Sequence, residues 1–240
     1  MKRIGLTLAL LLCLPPIASA QLLDGKREQH RQEPAYDGTT ANAPIPANLH
    51  VRNEGGSDGA GLCVIASLRI NGRYQGVPGV EQIWARAKTR PGGYSPAKLQ
   101  GLLDETVPAE KWASYVGRDT GILQQLSASG YPIGATMNTG ELYGYQPIHH
   151  MVSLVHYDKT KGLACVVDNN RPGIFSWMTS AEFDRRWIDG GTGWAFVWTR
   201  KAALMARNGG GALLLVAAAV AAVVIAARRP DEIGATNAIA

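Results

Sequence analysis

The sequence predicts an α+β domain, on three observations. Apolar residues recur at helical spacing first and at strand spacing afterward. The 240 residues are 46% hydrophobic and 18% charged, enough for one domain with a real core. The 28 glycines fall in clusters such as Gly55-Gly56, Gly190-Gly191 and Gly209-Gly210-Gly211, with no fixed period, so the chain is not a repeat array. The same composition excludes disorder throughout, and 3 cysteines exclude a disulfide-dense scaffold. The net charge is +5, but Lys and Arg are scattered among acids, and no basic tract of nucleic-acid type is present.

The chain opens on Lys2-Arg3 and an apolar run from Ile4 to Leu14, followed by Pro15-Pro16 and the small residues Ala18-Ser19-Ala20. This is the pattern of a signal peptide, residues 1–20, cleaved after Ala20. Leu10-Leu11-Leu12 lacks the small residues that lipoprotein processing at Cys13 needs, so that cysteine leaves with the signal. Residues 21–47 are rich in Gln, Glu, Arg, Thr, Asn and Pro and read as a solvated linker or a propeptide. The folded domain is expected over 48–203. Its first helix is predicted over Leu62–Ile70, opened by a glycine-rich loop and closed by Asn71-Gly72. Ser95-Pro96 reads as an N-cap with proline at the first helical position, introducing a helix through Leu103. Thr120–Ser127 is a third helical stretch.

From there the period is that of strands, at Tyr131–Met137, Met151–His156, Leu163–Asp168 and Ile174–Met178. Thr179-Ser180-Ala181-Glu182 fits a capping box for a short helix to Trp187, and Gly193–Thr199 is a last, aromatic strand. Residues 209–227 carry no charge, and at 1.5 Å per residue they approach the roughly 30 Å of a hydrocarbon core. Three Leu, four Val and one Ile favour insertion by on the order of 2 to 5 kcal/mol. Arg228-Arg229 end the run and hold the tail 228–240 in the cytoplasm, so the domain is expected to face away from it.

Few residues can carry chemistry. After signal removal Cys63 and Cys165 remain, and in an oxidising compartment a disulfide between them is one reading. Cys165 sits mid-strand as a core thiol. Cys63 occupies the first turn of its helix behind Gly59-Ala60-Gly61-Leu62, where free N–H groups and the helix dipole stabilise a thiolate or an oxyanion. A base and an orienter are supplied by His149-His150, opening one strand, and Asp168, ending the next. A hairpin through Asp158-Lys159-Thr160-Lys161-Gly162 would bring His150 and Asp168 to one edge. Zinc is the rival use of Cys and His, but no Cys-x-x-Cys or His-x-x-x-His pairing supplies four ligands, so neither metal nor cofactor is expected. His30, His50 and His156 read as solvated or structural.

Several stretches together resemble a known family. They are Gly61-Leu62-Cys63-Val64 opening a buried helix, Gly130-Tyr131-Pro132-Ile133-Gly134-Ala135-Thr136, and His150-Met151-Val152-Ser153-Leu154-Val155-His156-Tyr157-Asp158. Val166-Val167-Asp168, Glu182-Phe183-Asp184-Arg185-Arg186-Trp187 and Gly193-Trp194-Ala195-Phe196-Val197 complete the set. In order and spacing they resemble the papain-like cysteine peptidases, within them the bacteriocin-leader-processing group, over about 53–199. The resemblance implies a papain-like fold with an N-terminal helical part holding the nucleophile and a C-terminal antiparallel sheet. It also implies Cys63 as nucleophile, His150 as general base and then acid, and Asp168 as orienter. The family's oxyanion glutamine, six residues before the cysteine, is here Ser57, so Ser57 or Asn53 is the substitute donor; Gly61 and Asn169 complete the expected oxyanion and substrate contacts. The function expected is a membrane-anchored, extracytoplasmic peptidase acting on a peptide or protein. A hydrolase of cell-wall peptides, an acyltransferase and a silent binding protein on the same scaffold are the alternatives.

Overall fold

Alternation of buried side chains builds one sheet with two dissimilar faces. The computed structural model describes residues 30–31, 34–56, 58, 60–140, 148–189 and 191–199. In chain order their elements are β1 (His30–Arg31), β2 (Ala35–Tyr36), β3 (Thr39–Thr40), α1 (Cys63–Gln75), α2 (Val80–Lys88), α3 (Pro96–Thr106) and β4 (Trp112–Gly117). There follow α4 (Gly121–Ala128), β5 (Ile133–Asn138), β6 (His149–Asp158), β7 (Leu163–Val167), β8 (Phe175–Thr179), α5 (Ser180–Trp187) and β9 (Gly193–Trp198). The sheet order is β1-β8-β7-β6-β5-β9-β4, antiparallel throughout, with β1 a two-residue edge on a six-stranded body.

On one face Ile133, Ala135 and Met137 of β5, Val152 and Leu154 of β6, and Ala195 and Val197 of β9 pack against Leu123 and Leu126 of α4 and Phe183 and Trp187 of α5. The alternate residues point the other way. Met151, Trp194, Phe196 and Trp198 meet Val64, Ile65 and Leu68 of α1, with α2 and α3 outside them. Beside α1 on that same face, Val155, Cys165, Val167, Phe175 and Trp177 are covered by Tyr36, Ala41, Ala43 and Ile45. Each large apolar side chain so buried is worth about 1.5–3 kcal/mol. Trp198 adds direction, its indole N–H donating to Leu68 O at 3.1 Å and so fixing α1 on β9.

The predicted caps are present: Ser95 Oγ accepts from Lys98 N–H at 3.3 Å, and Thr179 Oγ1 from Glu182 N–H at 3.1 Å. Other expectations need correction. Asn71-Gly72 does not close α1, which runs on to Gln75 and ends at the left-handed Gly76, φ 67°. Gly72 serves contact instead: a Cβ there would lie 2.8 Å from Val80 Cγ2, so its absence lets α2 approach α1. The segment read as a solvated linker contributes β1 and, over residues 34–47, a strap, with Tyr36 stacked on Trp177 at 5.7 Å and Ala43 N–H bonded to Val155 O at 2.9 Å. The folded body therefore begins before residue 48. α2 and β4 were not expected from the sequence, although Val80, Ile83, Trp84 and Ala87 have helical spacing and are all buried. The signal peptide 1–20, the span 209–227 and the tail 228–240 lie outside the described residues. Among the described residues no helix is long and apolar enough to cross a membrane.

Candidate active site

The hairpin joining β6 to β7 turns where Asp158 Oδ1 accepts from the N–H groups of Thr160 and Lys161, both at 3.0 Å, and Gly162 takes φ 69°. The two strands then carry His150 and Asp168 to the same end. His150 Nε2–H donates to Asp168 Oδ1 at 2.8 Å, with both side chains buried. The N–H of Asn170 donates to the same carboxylate oxygen at 2.8 Å, which fixes the orienter in turn. With Nε2 committed to the carboxylate, Nδ1 is the basic nitrogen of the ring.

Cys63 is delivered to this pair by a tight loop. Leu62 N–H bonds Glu54 O at 3.0 Å, Gly56 N–H bonds Ala60 O at 2.8 Å, and Gly55 and Gly61 form an antiparallel bridge. Cys63 is the first residue of α1, and no side chain caps the helix at Leu62. The uncapped N–H groups of Cys63 and Val64 are therefore available to the sulfur, and the N–H of Met151, the residue after the base, is hydrogen bonded to it as well.

The electrostatic balance differs from the one expected of a helix start. Burial pushes the Cys63 thiol above its ordinary value; the N–H groups of Met151, Val64 and Cys63 pull it down, while the charge on Asp168 pushes it up again. Burial likewise pushes the His150 imidazole down to about 4, with the adjoining Asp168 carboxylate working against it. The pair therefore rests as thiol and neutral imidazole. A helix dipole acts over one turn, and here desolvation outweighs it.

Cys165 is fully buried, its thiol pushed up well above the ordinary range by burial, and both cysteines are free, so the disulfide reading does not hold in this structure. His149 is exposed beside the buried His150. His50 donates through Nε2 to Ile45 O at 3.1 Å and accepts at Nδ1 from Gly173 N–H at 2.8 Å, clipping the strap to the loop before β8. His156 packs its ring on Trp177, centroids 5.3 Å apart.

The four expected oxyanion and substrate contacts separate. Ser57 lies outside the described residues. Asn53 lies against Gly61: a Cβ on Gly61 would stand 3.2 Å from Asn53 Nδ2, so glycine there makes room for the amide. Asn53 is fixed through its backbone N–H to Asn169 O at 2.7 Å and through Nδ2 to Asn170 Oδ1 at 3.2 Å. Asn169 faces inward rather than toward a substrate. It is fully buried, and its Nδ2 reaches Cys63 O at 3.0 Å, Ser67 Oγ at 2.8 Å and Met151 O at 2.8 Å. Ser67, which the sequence reading passed over, is one helical turn beyond Cys63, a spacing that could have flagged it.

No group of three His, Cys, Asp or Glu side chains suited to a metal ion occurs among the described residues. The Cys63 thiol, through the Met151 N–H, and the His150–Asp168 pair thus meet at the start of β6. A scan against models of known protein families finds no match for this chain, and a search of curated proteins finds none either.

Proposed function

We propose that the protein is a thiol hydrolase of peptide bonds, of papain-like type, acting through Cys63, His150 and Asp168. The observation that carries this reading is the buried His150–Asp168 bond at 2.8 Å beside a cysteine that opens a helix and whose sulfur accepts the N–H of Met151. Because the resting pair is neutral, the base acts as the bond forms. The thiol proton passes to His150 Nδ1 as sulfur attacks the carbonyl carbon, and Asp168 stabilises the imidazolium that results. On this reading the Cys63 N–H and the Asn53 amide are the donors assigned to the oxyanion. The C–N bond then breaks, the imidazolium protonates the departing amine, and water activated by His150 cleaves the thioester.

The glycines of the loop before Cys63 suit this substrate class, since Gly55 and Gly61 expose backbone where an extended peptide can approach. The sequence signals at both ends assign the chemistry to the outer face of a membrane. Cys63→Ala that retains full thiol-dependent hydrolysis of an unstructured protein would end this reading. A silent binding scaffold is the second reading, favoured by the same burial that holds the thiol up; it requires a folded protein that binds peptide and never forms a covalent adduct on Cys63.

A further inference from the structure

β7 ends at Val167, paired with Ser153, so the start of β6 has no strand partner on that side. Met151 lies there, and its backbone groups are claimed by side chains instead. Its carbonyl accepts from Ser67 Oγ at 2.9 Å and from Asn169 Nδ2 at 2.8 Å. Its N–H faces the Cys63 sulfur. Asn169 also holds Cys63 O at 3.0 Å and Ser67 Oγ at 2.8 Å, so two side chains tie the first turn of α1 to the residue that follows the base.

We propose that Ser67 and Asn169 are positioning residues: by clamping the Met151 carbonyl to the first turn of α1, they set where the Cys63 sulfur lies relative to His150. The inference rests on reading Cys63 as nucleophile and His150 as base. Besides this clamp and the Met151 N–H on the Cys63 sulfur, α1 meets the start of β6 through apolar contacts such as those of Met151, which fix separation but not direction. Hydrogen bonds supply the direction, and a misplacement of about 1 Å between reacting groups costs roughly a hundredfold in rate. Asn169 suits the task because its amide nitrogen faces three acceptors; an aspartate carboxylate would only repel them. Its neighbour Asp168 holds the imidazole, so one loop governs both partners of the proton transfer.

The test uses the mature full-length protein and its Ser67→Ala, Asn169→Ala and Asn169→Asp variants. Iodoacetamide alkylation of Cys63 is followed across pH by mass spectrometry, with thermal midpoint, kcat and KM for an unstructured protein substrate. The clamp predicts that Ser67→Ala slows alkylation at neutral pH about tenfold, moves the profile to higher pH and lowers kcat with KM held. The Asn169 variants should do the same more strongly. A merely structural role would lower the midpoint and leave the pH profile of the folded molecules as in the parent. That result, or a parental profile in all three variants, overturns the proposal. If the Asn169 variants do not fold, Ser67→Ala alone decides. If the parent alkylates at Cys63 and hydrolyses no peptide while Ser67→Ala still shifts the profile, the clamp stands and the hydrolase reading falls.

Discussion

The two faces of the sheet share strands but follow different rules. Under α4 and α5 the apolar set runs from Leu123 through Met137 and Leu154 to Trp187, with Ser127, Ser180 and Arg186 of the two helices buried beside it. Under α1 and the strap β6 presents Ser153 and His156, and α1 answers with Ser67, Asn71 and Gln75, all buried, whereas His150, opposite Met137, keeps the register of Val152 and Leu154. Burying polar groups costs stability wherever partners are imperfect, so a fold does not gather them on one face without use. The apolar contacts under α4 and α5 supply stability that offsets the polar groups buried between β6, α1 and the strap.

The widest separation between the site and the apolar core should come from activity. His150→Ala is expected to abolish hydrolysis with the fold intact, and Asp168→Ala to cost about a hundredfold less, because an orienter contributes less than nucleophile or base. In the apolar core Trp187→Ala should cost about 3–5 kcal/mol in denaturant unfolding while leaving kcat per folded molecule unchanged. An equal loss of kcat there would erase the distinction.

Much of this contrast was legible in the sequence, for physical reasons that also mark where it stopped. The apolar runs of β6 and β7, with Asp158 and Gly162 at the turn between them, predicted the hairpin that joins His150 to Asp168. The strap was missed because its buried residues are mostly small: Ala41 and Ala43 carry little apolar signal, and only the groove beside Trp177 makes them core. β4 was missed as an edge strand with one buried residue, Ala113, among half-covered neighbours. The inward turn of Asn169 depends on α1 lying beside β6, a long-range contact that local pattern does not encode. The thiol went the same way: a helix start alone argues for a lowered value, and only tertiary burial reverses it.

Acid should act first through the buried histidines. His50, His150 and His156 are all lowered from 6.5 by burial, His150 to about 4, so the unfolded chain binds more protons between those values. Their contribution is complete above about pH 6.5 and is lost as pH falls toward 4, on the order of 3 kcal/mol for His150. Urea midpoints against pH should show this slope, and His156→Phe should flatten it while Phe183→Leu, on the apolar face, lowers stability at every pH without changing it. The smallest effect belongs to the outer surface. Glu81→Gln breaks the bonds to Arg69 and Arg73 at an exposed carboxylate and should cost about 1 kcal/mol or less, vanishing at high salt.

The two cysteines give the most direct test, since one molecule carries both. Native protein mixed with an activated peptide ester, quenched in acid and mapped by mass spectrometry, should hold an acyl group on Cys63 and none on Cys165, and the adduct should disappear in His150→Ala. An adduct that persists without His150, or labelling of both cysteines alike, would contradict the assignment of Cys63 as a nucleophile activated by its imidazole.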